Sequence, residues 1–243
     1  MKTIKTCLLT LAAFTTIAFA KAQTADEIIA KHIEAIGGKE KLSQVTSIYM
    51  ESATEVMGNE MNTKTTILNG KGFKNESDFN GQNIVQVATD KGGWAINPFT
   101  GSSDPTPMSD EEFKGSEDQI YIGPLVNYAE HGAKVELVGR EEIGDVNAYK
   151  LKYTNKDSAE TIYYIDPATS YIIQAVRKGN AMGQEVTVTI RFSNYKKTDF
   201  GVIIPNTTNV DMEQFALKTN VKKVEINKPV DPSIFEMPGK QKL

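Results

Sequence analysis

A strict alternation of apolar and polar residues in one short segment constrains the fold of this chain more than any other feature. The apolar set is Val186, Val188, Ile190 and Phe192, and the polar set between them is Thr187, Thr189 and Arg191. In a β-strand, a period of two places the first set on one face and the second set on the other. The strand therefore belongs to a sheet with one apolar face, and that face must be covered either by protein or by a bound molecule.

Similar runs, separated by turn residues at short intervals, continue over most of the chain after Val45. Asn80-Gly81 is typical of a tight turn between antiparallel strands, and Lys222-Lys223 interrupts an alternation in the way that a bulge does. We predict strands over residues 48–57, 61–68, 71–79, 82–89, 94–96, 134–143, 146–153, 160–165, 171–177, 185–195, 202–212 and 215–226. The fold class is thus mainly β, with about a dozen antiparallel strands in hairpin order. Such a long meander must curl or close to protect its edges.

Two segments carry helical features instead. Thr24 and Glu27 form a capping box, and a stripe at helical spacing follows until Gly37-Gly38. Ser109 and Glu112 repeat the capping box in the middle of the chain. We predict an N-terminal helix and a central helical insert over about residues 109–132. Because the insert lies between two runs of strands, it can cross one face or one open end of the sheet.

Two details of this central region follow from its prolines. Pro124 is well placed as the first residue of a further helix within the insert. Thr100 to Met108, which contains two prolines together with Gly, Ser and Asp, predicts a loop before the insert. At the end of the chain, Pro229 to Pro238 predicts an extended tail that lays Ile234 and Phe235 on the body of the protein.

The first 22 residues are typical of a cleaved secretory signal peptide. Lys2 and Lys5 precede a short apolar run, and Ala20-Lys21-Ala22 is a small-residue cleavage site. The alternative is an uncleaved anchor, but the apolar run is too short to span a bilayer. We therefore expect a mature chain of residues 23–243 that forms a single domain in the periplasm. Association with the outer membrane or exposure on the cell surface stays open.

Charge and cysteine content narrow the classes of partner. The whole chain has 27 basic and 31 acidic residues, and removing Lys2, Lys5 and Lys21 changes the net charge from −4 to 24 − 31 = −7. An acidic chain without a basic patch has no electrostatic reason to bind nucleic acid. The single cysteine, Cys7, leaves with the signal peptide, so the mature chain has no disulfide. A cysteine-free secreted chain of this size suits a bacterial periplasm.

No constellation of residues in the sequence indicates catalysis or metal binding. The two histidines, His32 and His131, lie outside any metal-ligand pattern and fit packing or capping roles on helices. Asp110, Glu111 and Glu112 occupy a helix start, where negative charge is favourable. We expect no catalytic residue, no metal and no cofactor. Asp157-Ser158-Ala159 is similar to a short bacterial O-glycan acceptor pattern, although a match of three residues is common by chance.

Several segments, taken in order, resemble the LolA/LolB superfamily of bacterial lipoprotein carriers, and more narrowly the LolA-like outer membrane lipoprotein-sorting proteins. They are Ala25-Asp26-Glu27-Ile28-Ile29 through Ala35-Ile36-Gly37-Gly38, Gly93-Trp94 through Asn97-Pro98-Phe99-Thr100-Gly101, Tyr164-Ile165-Asp166-Pro167, Asp199-Phe200-Gly201-Val202 through Ile204-Pro205, and Val224-Glu225-Ile226-Asn227 through Phe235-Glu236-Met237-Pro238. The resemblance implies a half-open, highly curved antiparallel β-barrel. Its apolar concave face would be covered by the helices and would hold lipid acyl chains.

The resemblance gives no residue-by-residue match to a functional site, so the candidate residues come from their positions in the chain. Trp94 and Phe99 flank the loop before the insert and are either core aromatics or the mouth of a cavity. Phe113, Ile120 and Leu125 are either helix core or the underside of a lid. The wall of the cavity is predicted from the alternating strands, and its candidates are Val186, Val188, Ile190, Phe192, Phe215 and Leu217.

These features favour a monomeric periplasmic carrier or binder of an acyl-chain-bearing ligand, either a lipid or a lipoprotein, with an envelope protein as donor or acceptor. One alternative is an envelope scaffold or sensor that has a filled interior and binds a protein partner. An enzyme on the same scaffold would require polar groups that converge inside the barrel, for example Arg191, Glu185 and a tyrosine. The alternation directs Arg191 outward, which argues against the enzyme.

Overall fold

A computed structural model describes residues 23–56, 59–100, 102–181, 184–212 and 216–239 of the protein. These residues form one sheet of 13 antiparallel strands in the spatial order β6-β5-β4-β3-β2-β1-β13-β12-β11-β10-β9-β8-β7. The strands are β1 Ser47–Val56, β2 Asn59–Leu68, β3 Gly72–Phe79, β4 Gln82–Thr89, β5 Gly92–Asn97, β6 Ser102–Pro107, β7 Lys134–Ile143, β8 Val146–Thr154, β9 Glu160–Ile165, β10 Ile172–Ala181, β11 Gln184–Lys197, β12 Ile203–Asp211 and β13 Ala216–Ile226. The predicted mainly β class is confirmed.

The helices are few and short. Those in the described residues are α1 Ala25–Ala35, α2 Lys39–Ser43 and α3 Asp110–Lys114, with 3₁₀ helices at Pro98–Thr100, Glu117–Ile120, Tyr128–His131 and Pro232–Phe235. Both predicted capping boxes are present, Thr24 with Glu27 and Ser109 with Glu112. In the part of the chain that the structure describes, no helix has the length and apolar character needed to cross a membrane. The predicted signal peptide lies outside the described residues.

Two predictions about the central region are wrong. The segment before the insert is the edge strand β6, paired with β5, and not a loop. Proline is tolerated there because an edge strand has one side without a ladder partner. The helix predicted from Pro124 is reduced to the single 3₁₀ turn Tyr128–His131. Asn127, with φ of 54° in the left-handed region, interrupts any helix starting at Pro124.

The strand order makes the sheet open, because β6 and β7 are its two edges and do not pair with each other. These two edge strands are consecutive in sequence apart from the insert, residues 109–132. The insert must therefore run from one edge of the curved sheet to the other. The predicted half-open barrel with a helical cover is confirmed.

The two faces of the sheet are covered by different parts of the chain. We call the face against which α1 and the insert pack the inner face; Ile28, Leu125 and Leu151 meet there in one buried cluster. The opposite, outer face is covered near β3 to β5 by the C-terminal tail, where Phe235 packs with Val87. The sheet thus has apolar contacts on both of its faces. The prediction that only one face is buried was therefore incomplete.

The register confirms the bulge expected near Lys222. Glu51 pairs with Lys223 but the next residue, Ser52, pairs with Val221. Lys222 is the extra residue, and the shift restores Val221 and Val224 to the same face. Without the bulge, the half of β13 that faces the hollow would present the wrong set of side chains.

His32 attaches α1 to the turn between β9 and β10. Its side chain is buried, and Nδ1 lies 2.8 Å from the Ser170 carbonyl oxygen, to which it donates in the neutral tautomer. Burial lowers the pKa of His32 below its ordinary 6.5, and the bond to Ser170 opposes this effect only in part. The unfolded chain therefore takes up a proton at a higher pH than the folded chain does.

We expect the His32 contribution to stability to be fully present above pH 6.5 and to be lost as the pH falls through the lower folded-state pKa. Urea unfolding at a series of pH values between 8 and 5 measures this dependence. The variant His32→Gln should show a flatter profile over this range, whereas His131→Gln, at a less buried site, should change it less. An unchanged profile in His32→Gln would contradict the assignment.

Candidate ligand-binding hollow

The apolar wall of the hollow is a cross-strand row on the inner face. The strand registers align Leu217, Val210, Ile190, Ala175, Tyr163 and Leu151 across β13, β12, β11, β10, β9 and β8. Leu151 and Ala175 are buried, but Ile190, Val210 and Leu217 remain partly exposed. The helices thus fill the hollow near β8 and leave the part near β11 to β13 accessible.

The opposite wall of the hollow, on β1 to β3, is lined by small hydroxyl side chains. The register places Ser52, Thr63 and Ser77 side by side on the inner face, and all three are buried. Their hydroxyls pair within the wall, since Thr63 Oγ1 and Ser77 Oγ are 2.8 Å apart. Thr54 pairs in the same way with Thr219, at 2.7 Å. The concave face is therefore apolar on one side and hydroxyl-rich on the other, and not uniformly apolar as the resemblance implied.

The insert joins both halves of the open sheet through hydrogen bonds. On the β4 side, Gln86 Nε2 donates to Ser116 Oγ over 3.1 Å. On the β8 and β10 side, Asn155 Nδ2 donates to the Lys114 carbonyl over 3.3 Å, and Arg177 Nη1 donates to the Gly115 carbonyl over 3.0 Å. Three consecutive residues, 114–116, thus bond to both halves, and the insert closes the gap that the sheet leaves open.

Charged groups cluster where the insert meets the turn between β8 and β9. Glu117 is buried, forms an ion pair with Lys156, and leaves its Oε2 atom without a hydrogen-bond partner among the described residues. Burial and the neighbouring Asp157 raise the pKa of Glu117. Burial likewise raises the pKa of Asp118, although its hydrogen bonds to Tyr153 and Asn155 oppose this effect. These carboxyls fix the insert to the sheet.

The predicted residues of the insert all contact the inner face. Ile120 and Phe113 pack with Phe73 and Ala88, and Leu125 packs with α1. Ile120 and Leu125 are each only 1% exposed, so protein already surrounds them. A ligand would reach these two side chains only after a displacement of the insert.

The two aromatic candidates near the insert lie in different places. Trp94 is on the outer face beneath the tail, and its Nε1 donates to the Phe235 carbonyl over 2.9 Å. Its position as a cavity-mouth residue is therefore wrong, because Trp94 pairs with Val87, whose side chain points outward. Phe99 is 60% exposed and lies beside Phe79 at the end of β3, with ring centroids 6.1 Å apart.

The wall candidates on β11 and β13 share one face, as the alternation predicts. Ile190 and Leu217 belong to the apolar row, Val188 is buried beside it, and Phe192 packs against the α1 cluster. Val186, further along β11, is partly exposed. Phe215 lies outside the described residues.

The outward direction of Arg191 is confirmed. Arg191 Nη1 is 3.7 Å from an oxygen of Asp211, and the side chain is about half exposed. Glu185 forms an exposed ion pair with Lys178 at 2.9 Å. The convergence that an enzyme would require therefore does not involve these two residues. Among the described residues, no three His, Cys, Asp or Glu side chains are arranged to hold a metal ion.

Sequence reasoning missed the hydroxyl wall and Arg177. In β2, Thr63 and Thr65 alternate with other polar residues, so the strand carries no contrast that distinguishes its two faces. Arg177 is in phase with Ala175, but the irregular pairing between Ile172 and Gln174 changes the phase of the strand before it. The one sequence signal for the inward direction of Arg177 is its spacing of two residues from Ala175.

Two cavities open near the helices. One, of about 610 Å³, is a polar cleft at the α1–α2 turn, lined in part by Glu34, Lys41 and Phe200. The other, of about 210 Å³, lies between α1 and the insert and is lined in part by Ile29 and Leu125. Neither of these two cavities is lined by a strand residue.

Comparison with known proteins supports the fold. A DUF1329 family protein from Desulfovibrio piger ATCC 29098 superposes with a TM-score of 0.58 at 14% identity, over 88% of this chain and 98% of its own. The LolA superfamily protein NE2245 from Nitrosomonas europaea gives the same values. A domain assigned to outer membrane lipoprotein-sorting proteins, from Vibrio parahaemolyticus, gives 0.54 at 16% identity, over 86% and 94%.

Sequence comparison alone gives no match, since no family model and no curated protein matches this chain. At such low identity, the structural similarity concerns the architecture and not the activity. The similarity in fold nevertheless extends over nearly the whole length of these proteins. The resemblance to the LolA superfamily is therefore confirmed at the level of fold.

Proposed function

We propose that this protein is a periplasmic carrier or binder of an acyl-chain-bearing molecule, a lipid or a lipoprotein, held in the hollow of the sheet. The observation that supports the proposal most is the apolar row on the inner face, where Ile190, Val210 and Leu217 are partly exposed. When an apolar chain replaces water against such side chains on a concave surface, the free energy of the system falls, which favours binding.

The magnitude of that gain is sufficient for binding without a catalytic group or a metal. Each methylene moved out of water contributes about 0.8 kcal/mol, so a long acyl chain gains on the order of 10 kcal/mol before ordering costs. The hydroxyl wall is compatible with such a ligand. Because Thr63 and Ser77 already hydrogen-bond to each other, neither hydroxyl needs a water molecule when an apolar ligand lies beside them.

The test is a binding assay on delipidated protein. A fluorescent fatty acid should bind, and the variant Ile190→Lys should weaken binding by at least about ten-fold, because it places a charge in the apolar row. Thr189→Lys is the matched control, since Thr189 lies on the same strand but on the outer face, opposite Asp211. No binding by the wild type, together with no lipid in native mass spectra of freshly purified protein, would refute the proposal.

The second candidate is a scaffold or sensor that binds a protein partner. The cleft at the α1–α2 turn favours it, since charged side chains such as Glu34 and Lys41 line it and suit contact with a protein surface. If the protein is a scaffold or sensor, substitutions in the apolar row would leave binding of the protein partner intact. Substitutions at the α1–α2 cleft, such as Lys41→Glu, would abolish that binding. The binding assay with Ile190→Lys and Thr189→Lys separates the two candidates.

A further inference from the structure

We propose that Arg177 anchors the carboxylate of a free fatty acid whose chain lies along the apolar row. This inference rests on the proposed function and specifies the class of its ligand. It predicts that the protein recognises a free carboxylate in addition to the acyl chain. A lipoprotein does not offer this group, because its chains are amide- and ester-linked.

Arg177 lies on the inner face, under the insert. It pairs with Val188 on one side and Thr161 on the other, in the row next to Ile190 and Ala175. Its Nη1 atom donates to the Gly115 carbonyl over 3.0 Å. Its Nε atom is buried and has no hydrogen-bond partner among the described residues.

No carboxylate of the described residues forms an ion pair with Arg177. The nearby acids of the insert have other partners: Glu117 pairs with Lys156, and Asp118 bonds to Tyr153 and Asn155. A guanidinium that is partly buried without an anion, and that keeps an unpaired Nε, is unfavourable as it stands. An anion supplied by a ligand would remove both deficits at once.

The geometry of the free edge favours a carboxylate. The Nη1 atom is occupied by Gly115, so the edge formed by Nε and Nη2 remains for a ligand. Two parallel N–H donors on this edge match the two oxygens of a carboxylate in a bidentate pair. Since Nε is shielded from water, the carboxylate enters with a displacement of the insert near Gly115, where Nη1 makes its bond.

The position of Arg177 also suits the length of an acyl chain. From β10, which carries Arg177, the row crosses β11 and β12 to Leu217 on β13. Three strand spacings of about 4.8 Å give about 14 Å, which is of the order of an extended long acyl chain. A head group at Arg177 therefore directs the chain over Val188, Ile190 and Val210 toward Leu217.

The experiment is a calorimetric titration of the delipidated protein with palmitic acid, methyl palmitate and palmitoyl lysophosphatidic acid at neutral pH. The wild type should bind the acid about ten-fold more tightly than the ester. Arg177→Met should remove this preference, so that the acid and the ester bind with equal affinity. Arg177→Lys should keep part of it, since it retains the charge without the bidentate fork. Arg191→Met, on the outer face, should behave as the wild type does.

The outcomes separate the anchor from the proposed function. If the wild type binds the acid and the ester with equal affinity, the proposed role of Arg177 is overturned and the proposed carrier function is not. This comparison uses the wild type alone, so it does not depend on the folding of a variant. An equal loss for both ligands in Arg177→Met would also overturn it, because Arg177 would then act only on the structure. Tighter binding of the lysophosphatidic acid than of palmitate would overturn the carboxylate assignment. If neither acid nor ester binds, both the carrier and the anchor are refuted.

Discussion

Replacing Phe235 with alanine is expected to lower the free energy of unfolding by about 3–5 kcal/mol. Phe235 is 5% exposed and packs in a cluster with Val85, Val87 and Trp94 on the outer face. Its ring also lies where a side chain at Gly72 would stand, since an added Cβ there would be 2.7 Å from the ring. The expected loss has two parts. One is the lost hydrophobic free energy of the removed ring, and the other is the cost of the cavity that it leaves, which the rigid strands cannot close.

Urea unfolding of the variant measures this effect. Met237→Ala is the control, since Met237 belongs to the same tail but is 46% exposed, and it should change stability little. A decrease of less than about 1 kcal/mol in Phe235→Ala would show that the tail does not stay on the outer face in solution. Fluorescence of Trp94, the single tryptophan, should shift to longer wavelength as the variant exposes it.

Replacing Leu125 with alanine should lower the free energy of unfolding by about 2–5 kcal/mol. Leu125 is 1% exposed and connects the insert to Ile28 and Ile29 of α1 and to Leu151 of the sheet. Because three elements meet at this side chain, its truncation removes contacts from all of them. The hydrogen bonds of residues 114–116 to the two halves of the sheet remain, so the insert should loosen rather than detach.

Amide hydrogen exchange distinguishes a local from a global effect. In Leu125→Ala, amides of the insert should exchange faster than those of β8, which keeps its ladder to β7 and β9. Lys114→Ala, with an exposed side chain in the same insert, should leave both stability and exchange unchanged. Uniform acceleration over the whole sheet would indicate that Leu125 acts only through global stability.

The insert is the element on which the proposed function and the fold both depend. It is the chain connection between the two edge strands, β6 and β7, and it covers the hollow that these edges leave open. A carrier must admit and release its ligand, and an element held by Ser116, Arg177 and Asn155 can move with fewer broken contacts than a strand can. If the proposed function holds, entry of a ligand beside Arg177 requires the insert to move.

Local chemistry made much of the architecture predictable. The alternation at Ile190 predicted which side chains share a face, and the capping boxes at Thr24 and Ser109 predicted where helices begin. These predictions succeeded because strand period and helix capping depend on residues close in sequence. The edge strand β6 was missed because proline is tolerated in a strand only at the edge of a sheet. Whether a strand lies at an edge depends on its pairing with β5, which residues close in sequence do not reveal.

The candidate site was only half predictable. The apolar face on β11 was predictable, because the alternation that contains Val188 and Ile190 is a local pattern. The three-dimensional arrangement places Trp94 on the outer face, lines the opposite wall with the hydroxyls of Thr63 and Ser77, and leaves Arg177 beneath the insert with no carboxylate partner among the described residues. These facts depend on register, curvature and the path of the insert, which bring together residues far apart in sequence, and no local pattern contains that information.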